Sequence, residues 1–242
     1  MRQVWITGTS EGLGKALAEE YLMQGWSVVG LGRRHTLLHD RYTALHVDLS
    51  QSDSLKDCAF DEVDACDECL LILNAGAVEP IKHVGSFDHQ TALNTMAVNY
   101  NSVVTLCNVF LSRVKQMSEK LVGIIYISSG AARHPYDGWS VYCSSKAASE
   151  MFIRCIAEEL MTEKIEHIRV FSIAPGVIDT AMQDTIRASQ SKDFSRIQHF
   201  INLHTEGALL PPKKVAKKLY TLWQKRDRFA DVSLDLRLIE IL

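Results

Sequence analysis

The sequence is short of almost everything that would mark a specialised class of protein. No apolar run approaches the roughly 20 residues needed to span a bilayer, so no membrane association is expected. Neither sign of charge predominates: 26 basic side chains against 29 acidic ones leave a formal charge of −3. The chain offers no acidic or basic tail, and nucleic acid is not an implied partner. Proline is scarce, at five residues in 242, and no Pro/Gly/Ser-rich stretch, low-complexity tract or repeat marks a linker or a solenoid. Six cysteines (Cys58, Cys66, Cys69, Cys107, Cys143, Cys155) follow no framework spacing. Cys66-Asp67-Glu68-Cys69 has CxxC form, but no second pair or nearby histidine completes four ligands. The expectation is reduced, partly buried thiols at the mouth of a strand and no metal. The N-terminal Met-Arg-Gln-Val-Trp-Ile-Thr-Gly enters a strand at once, where a secretory leader needs a longer apolar stretch. These absences predict one cytoplasmic globular domain over residues 1–242, because an α/β chain of this length buries a large core on the two faces of one sheet.

What is present is an alternation of strand-like and helix-like segments. Strands are predicted at 4–7, 27–32, 44–47, 70–73, 122–128 and 168–173. Helices are predicted at 13–24, over most of 92–117 and at 140–162; the first carries Leu13, Leu17, Tyr21 and Leu22 on one face and stops at Gly25. A polar helical segment over 180–203, a helix after Pro211-Pro212 and a last strand around 230–236 complete the chain. The pattern predicts an α/β fold, a Rossmann-type doubly wound parallel sheet with helices on both faces. Ligands of such sheets bind beyond the carboxyl ends of the strands.

Two motifs fall at those ends. Thr7-Gly8-Thr9-Ser10-Glu11-Gly12-Leu13-Gly14 joins the first strand to the first helix, where glycines permit a tight turn and bring backbone N–H groups to a pyrophosphate. Just past the second strand, an acid would bond the ribose 2′-OH of NAD, whereas an arginine suits the 2′-phosphate of NADP. Gly32-Arg33-Arg34 has no acid, which points to NADPH (NADP+). In the long helix, Tyr142 and Lys146 stand at i and i+4 and share a face. A nearby cation favours the phenolate and brings tyrosine towards the operating pH for acid/base work.

The TGxxxGxG turn, the YxxxK pair and Pro175-Gly176-Val177-Ile178-Asp179-Thr180, a PGxxxT motif, resemble the short-chain dehydrogenase/reductase family in its single-domain branch, over residues 2 to 225. The resemblance implies a catalytic set of Ser129, Tyr142, Lys146 and Asn99. Ser128 competes with Ser129, and the family's spacing of thirteen residues before Tyr142 selects Ser129. Asn99 matches the helix asparagine that holds a water chain to the lysine. Asp48, beside Leu49, is expected to bond the adenine, and Asn74-Ala75-Gly76 to border the adenosine. Val177 or Ile178 and Thr180 are expected to meet the nicotinamide carboxamide. Glu11 is a departure, since NADP-preferring relatives often carry a basic residue inside the turn.

Around Tyr142-Cys143, Lys146-Ala147-Ala148 and Thr180-Ala181-Met182-Gln183, the sequence looks most like the sepiapterin reductase and benzil reductase subgroup, which reduces vicinal dicarbonyls. That implies hydride transfer to a ketone, with a substrate lid at about 181–210. Pteridine-reducing members use a C-terminal aspartate where this chain has Ser233, with Asp231 and Asp235 nearby; an aryl or alkyl diketone is the better expectation. Trp139 is a candidate pocket wall. Two other readings are an NAD-linked alcohol dehydrogenase and a nucleotide-sensing binding protein without catalysis. The family's habit of pairing the helices that carry Asn99 and Tyr142, with Val103, Val104, Phe110, Met151, Phe152 and Ile156 there to cover, implies a homodimer or homotetramer.

Overall fold

A computed structural model describes residues 1–55, 58 and 60–240. Seven strands, β1 (Arg2–Thr7), β2 (Ser27–Gly32), β3 (Tyr42–His46), β4 (Glu68–Leu73), β5 (Leu121–Ile127), β6 (Ile168–Ala174) and β7 (Ser233–Asp235), form one sheet in the order β3-β2-β1-β4-β5-β6-β7. Every pairing is parallel. The order reverses between β1 and β4, which opens a crevice at their carboxyl ends.

Alternation along the strands supplies two cores. Val4 and Ile6 of β1, with Leu70 and Ile72 of β4, face α1 (Gly12–Met23) and α8 (Pro212–Gln224), where they meet Leu17, Tyr21, Leu219 and Trp223. Trp5, Leu71 and Leu73 point the other way, onto Val103, Leu106 and Phe110 of α4 (Ser102–Val114) and onto Ile153 and Ile156 of α5 (Ser140–Thr162). A fully buried side chain of this size contributes on the order of 1.5–3 kcal/mol, so both faces need their helices.

The remaining helices are the short α2 (Ser52–Leu55), α3 (His89–Met96), α6 (Ala181–Arg187) and α7 (Ile197–Thr205). The predicted helix over 92–117 starts earlier, because Asp88 caps α3 by accepting from Thr91 N at 2.7 Å. It runs into α4 through a π-helical turn, Ala97–Asn101, that contains Asn99. The single polar helix expected over 180–203 is divided into α6 and α7. Residues 188–196 leave helical conformation between them, and Phe194 turns inward to stack on Trp139, with ring centroids 4.7 Å apart. The last strand is only three residues long because it pairs with the carboxyl end of β6 alone. No helix among the described residues is long and apolar enough to cross a membrane.

Candidate active site

The glycine turn depends on two backbone conformations that disfavour side chains: Gly8 has φ +73° and Gly12 φ +56°. Gly14 is required for a different reason, since a methyl group there would overlap the Gly8 carbonyl oxygen and the Asn74 carboxamide. Asn74 in turn ties β4 to β1: Nδ2 donates to Thr7 O at 3.0 Å, and the backbone N–H groups of Asn74 and Ala75 both donate to Thr7 Oγ1 at 2.9 Å. Glu11, at the N-cap of α1, makes no side-chain capping bond. The first-turn N–H groups beside it are therefore not satisfied by that carboxylate and suit a phosphate.

Glu11 instead pairs with Arg34, Oε1 to Nη2 at 3.7 Å, both side chains being exposed. Arg33 lies near Asp48, whose carboxyl is held below the usual range first by the backbone N–H and hydroxyl of Ser50 and then, more weakly, by the Arg33 charge. Thr36 Oγ1 donates to Ser10 O at 2.9 Å and fastens the arginine loop to the glycine turn.

Strand period separates the two serines. The Ser128 hydroxyl points into the protein and donates to Glu150 Oε2 at 2.6 Å, while Ser129 Oγ accepts from Ala131 N at 3.2 Å at the start of a 3₁₀ turn, Gly130–Ala132. Tyr142 and Lys146 lie on the first two turns of α5, both buried. Lys146 Nζ donates to Ile127 O at 2.9 Å and sits 6.0 Å from the centroid of the Tyr142 ring. Burial lowers its pKa to about 8. Contrary to the expectation that the lysine brings the phenol down, burial pushes Tyr142 up to about 12, and the Ser129 hydroxyl offsets this only in part. In a dry site the cost of exposing a phenolate to low dielectric outweighs a cation at that range.

Asn99 is fully buried one layer behind the cleft. Its Oδ1 accepts from Ala77 N at 2.7 Å, and Nδ2 donates to Ala77 O and to Ser145 Oγ at 2.8 and 2.9 Å. Gly76 lies beside both groups: a Cβ there would stand at ordinary contact distance, 3.5 Å from Asn99 Oδ1 and 3.6 Å from Lys146 Nζ.

One cleft of about 660 Å³ joins these parts. Gly8, Ser10, Glu11, Gly12, Leu13 and Gly14 line one end with Arg33, Arg34, Asp48 and Leu49. Asn74, Ala75 and Gly76 follow, then Ser129, Tyr142 and Lys146, with Pro175, Gly176, Val177, Ile178 and Thr180 opposite. The volume of the cleft, its glycine turn and its basic end fit a dinucleotide.

Beyond Tyr142 the cleft becomes an aromatic chamber. Trp139 and Phe200 line it with Tyr136, and Phe194 backs the indole. The chamber's roof is an excursion whose two ends are clasped: Asp179 N donates to Leu210 O at 3.0 Å and Leu210 N to Val177 O at 2.9 Å. The Asp137 carboxylate fastens its middle by accepting from Ser195 N and Oγ at 2.7 and 2.8 Å.

Sequence reasoning missed three residues here. Glu150, one turn past Lys146, binds Ser128, Ser172 and Arg133 and so fixes the Ser129 loop against α5; an acid at i+4 from Lys146, on the same helix face, was the available signal. Arg237 lines the cleft and Gln183 lines it from α6, and no spacing pointed to either. Ser233, Asp231 and Asp235 do not line the cleft, and Asp235 is occupied by Arg237, Nε to Oδ1 at 2.9 Å and Nη2 to Oδ2 at 2.6 Å.

Fold and cleft together define the class: a nucleotide-binding α/β oxidoreductase. A family profile described as short chain dehydrogenase matches residues 2–191, and the chain belongs to the short-chain dehydrogenase/reductase family of NAD(P)-linked enzymes. It is 36% identical over 242 residues to a benzil reductase ((S)-benzoin forming) of Bacillus cereus, covering 94% of this chain and 96% of that protein. A sepiapterin reductase of Xenopus tropicalis is 27% identical over 238 residues, covering 90% and 89%. The crystal structure of the KRED1-Pglu enzyme superposes with a TM-score of 0.80 at 30% identity, covering 92% of this chain and 94% of that one.

Proposed function

We propose that the chain is an NADPH-dependent carbonyl reductase acting on vicinal dicarbonyls, with Ser129, Tyr142, Lys146 and Asn99 as its catalytic set. The observation that carries this reading is the placement of Ser129, Tyr142 and Lys146 at the junction between a dinucleotide-shaped cleft and an aromatic chamber. A bound reduced nicotinamide supplies the hydride. Ser129 Oγ donates to the carbonyl oxygen of the substrate, and Tyr142, fully protonated at neutral pH, gives that oxygen its proton. Lys146 holds a cofactor ribose and places its charge beside the phenol as the proton leaves. Asn99 fixes the Ala77 backbone and the Ser145 hydroxyl behind that lysine. The rings of Tyr136, Trp139 and Phe200 suit an aryl diketone, in keeping with the benzil-reducing relative. Asp235 is engaged by Arg237 and, like Asp231, does not line the cleft, which speaks against a pteridine. Residues 181–210 act as a lid whose clasped neck lets α6 and α7 lift together. NADPH consumption with benzil tests the activity; no turnover on a panel of vicinal dicarbonyls would overturn it.

Arg33 and Arg34 support the choice of NADPH. Charge-assisted bonds of this kind contribute about 1.5–3 kcal/mol, so Arg33→Ala is expected to weaken NADPH binding roughly 10- to 100-fold and NADH by less than about twofold. Equal dissociation constants for the two cofactors in the unmodified protein would refute the assignment. One observation favours the NAD-linked alcohol dehydrogenase alternative: Glu11 shares Arg34, which leaves Arg33 with most of the discrimination.

The proposal extends to a cytoplasmic homodimer. Val103, Phe110 and Ile156, expected at the interface, are instead buried in the chain's own core. Met151, at 53% exposure, and the partly exposed Val104 and Phe152 remain on the α4–α5 face. A dimer mass is expected in sedimentation at micromolar concentration, and a monomer mass would contradict it.

A further inference from the structure

Gln183 is 94% buried, at 6% relative exposure, yet it lines the cleft. Its Oε1 has no hydrogen-bond partner, and Nε2 makes no hydrogen bond to any described residue. Buried carboxamides in folded proteins are almost always paired, so an unpaired one on a ligand cleft is a contact waiting for the ligand. Its position says which part of the ligand. On α6, Met182 and Ile186 pack into the cluster formed by Trp139, Tyr142, Phe194 and Phe200, and Gln183 shares a helix face with Ile186 at i+3. The carboxamide therefore lines the cleft from the helix that packs on the aromatic chamber, where the polar groups of the lining include His134, Tyr136 and Arg237.

We infer that Gln183 recognises the second carbonyl of a vicinal dicarbonyl and sets the preference for diketones over simple ketones; this rests on the reductase reading above. A diketone offers only acceptors, so the Nε2–H group must donate. With one carbonyl oxygen held between Ser129 and Tyr142, the neighbouring oxygen is one carbon further along and needs its own donor in the chamber. Of the buried polar atoms without a partner, Trp139 Nε1 also belongs to that cluster, but it sits in an indole stacked on Phe194 at 4.7 Å. Gln183 has three side-chain torsions with which to reach the ligand. A simple ketone of the same shape makes no use of the carboxamide and leaves it unpaired.

The test compares benzil with deoxybenzoin, which keeps both aryl rings and replaces one carbonyl by CH₂. Binding of each is titrated to the complex with NADP+, where reduction cannot proceed, for the parent protein, Gln183→Leu and Gln183→Glu. The parent is expected to bind benzil more tightly. Both variants are expected to lose about 10-fold or more in benzil affinity while deoxybenzoin and NADP+ stay within about twofold, since Glu keeps the size of the side chain but not its donor. Unchanged benzil affinity in Gln183→Leu overturns the assignment. So does an equal loss for both ketones accompanied by a lower Tm, which would mean that Gln183 serves only to hold α6. A parent protein that fails to turn benzil over with NADPH fails the reductase reading itself and is recognised separately by that assay.

Discussion

Tyr142→Phe is expected to lower turnover on an active dicarbonyl by about 10² to 10⁴-fold while leaving fold and NADPH affinity intact, because only a hydroxyl is removed and general acid catalysis is worth about that much. Lys146→Met should behave differently, losing turnover and cofactor affinity together, since one ammonium serves both. The pH profile gives a separate check. Below about pH 8 Lys146 carries its proton, and the phenol, pushed up to about 12, keeps its own throughout. Reduction should therefore be fastest at low and neutral pH and fall as pH rises through about 8, where Lys146 loses its charge. Near-normal turnover in Tyr142→Phe, measured beside an NADPH titration, would show that another group donates the proton.

Gly14→Ala is the second substitution with a large expected effect. The added methyl would meet the backbone oxygen of Gly8, which cannot rotate aside, and the Asn74 carboxamide, which holds β1 to β4. Overpacking a core costs about 1–3 kcal/mol or more, here at a contact that also shapes the phosphate turn. A fall in Tm of about 5–10 °C is expected for a chain of this size, together with loss of measurable NADPH binding. Parent-like values of both in a thermal melt and a fluorescence titration would mean that α1 does not approach the turn this closely.

The elements legible in the sequence are those whose signal is local. Short, near-continuous apolar runs locate β1, β2, β4, β5 and β6 to within a residue or two, because parallel strands covered by helices are apolar on both faces. The start of α3 was missed because its signal, Asp88 before Thr91, lies outside the apolar stretch. The boundary between α6 and α7 was missed because Phe194 leaves helical conformation for a partner 55 positions away, Trp139.

The same division runs through the site. The sequence by itself determined the glycine turn, the i, i+4 pair of Tyr142 and Lys146, and Arg33 and Arg34 past β2, since each is a property of neighbouring residues and the conformation they share. The family's spacing selected Ser129 over Ser128, but only the tertiary structure supplied a physical difference between them, by tying the Ser128 hydroxyl to Glu150 and leaving Ser129 Oγ on the Gly130–Ala132 turn. Only it placed Gln183 without a partner and Arg237 on Asp235. Burial, too, is decided by the fold: the sequence implied a phenol lowered by its lysine, whereas packing around α5 removes both groups from water and drives Tyr142 up and Lys146 down. Spacing along a chain specifies which groups can meet, and desolvation, which sets their chemistry, depends on everything that packs around them.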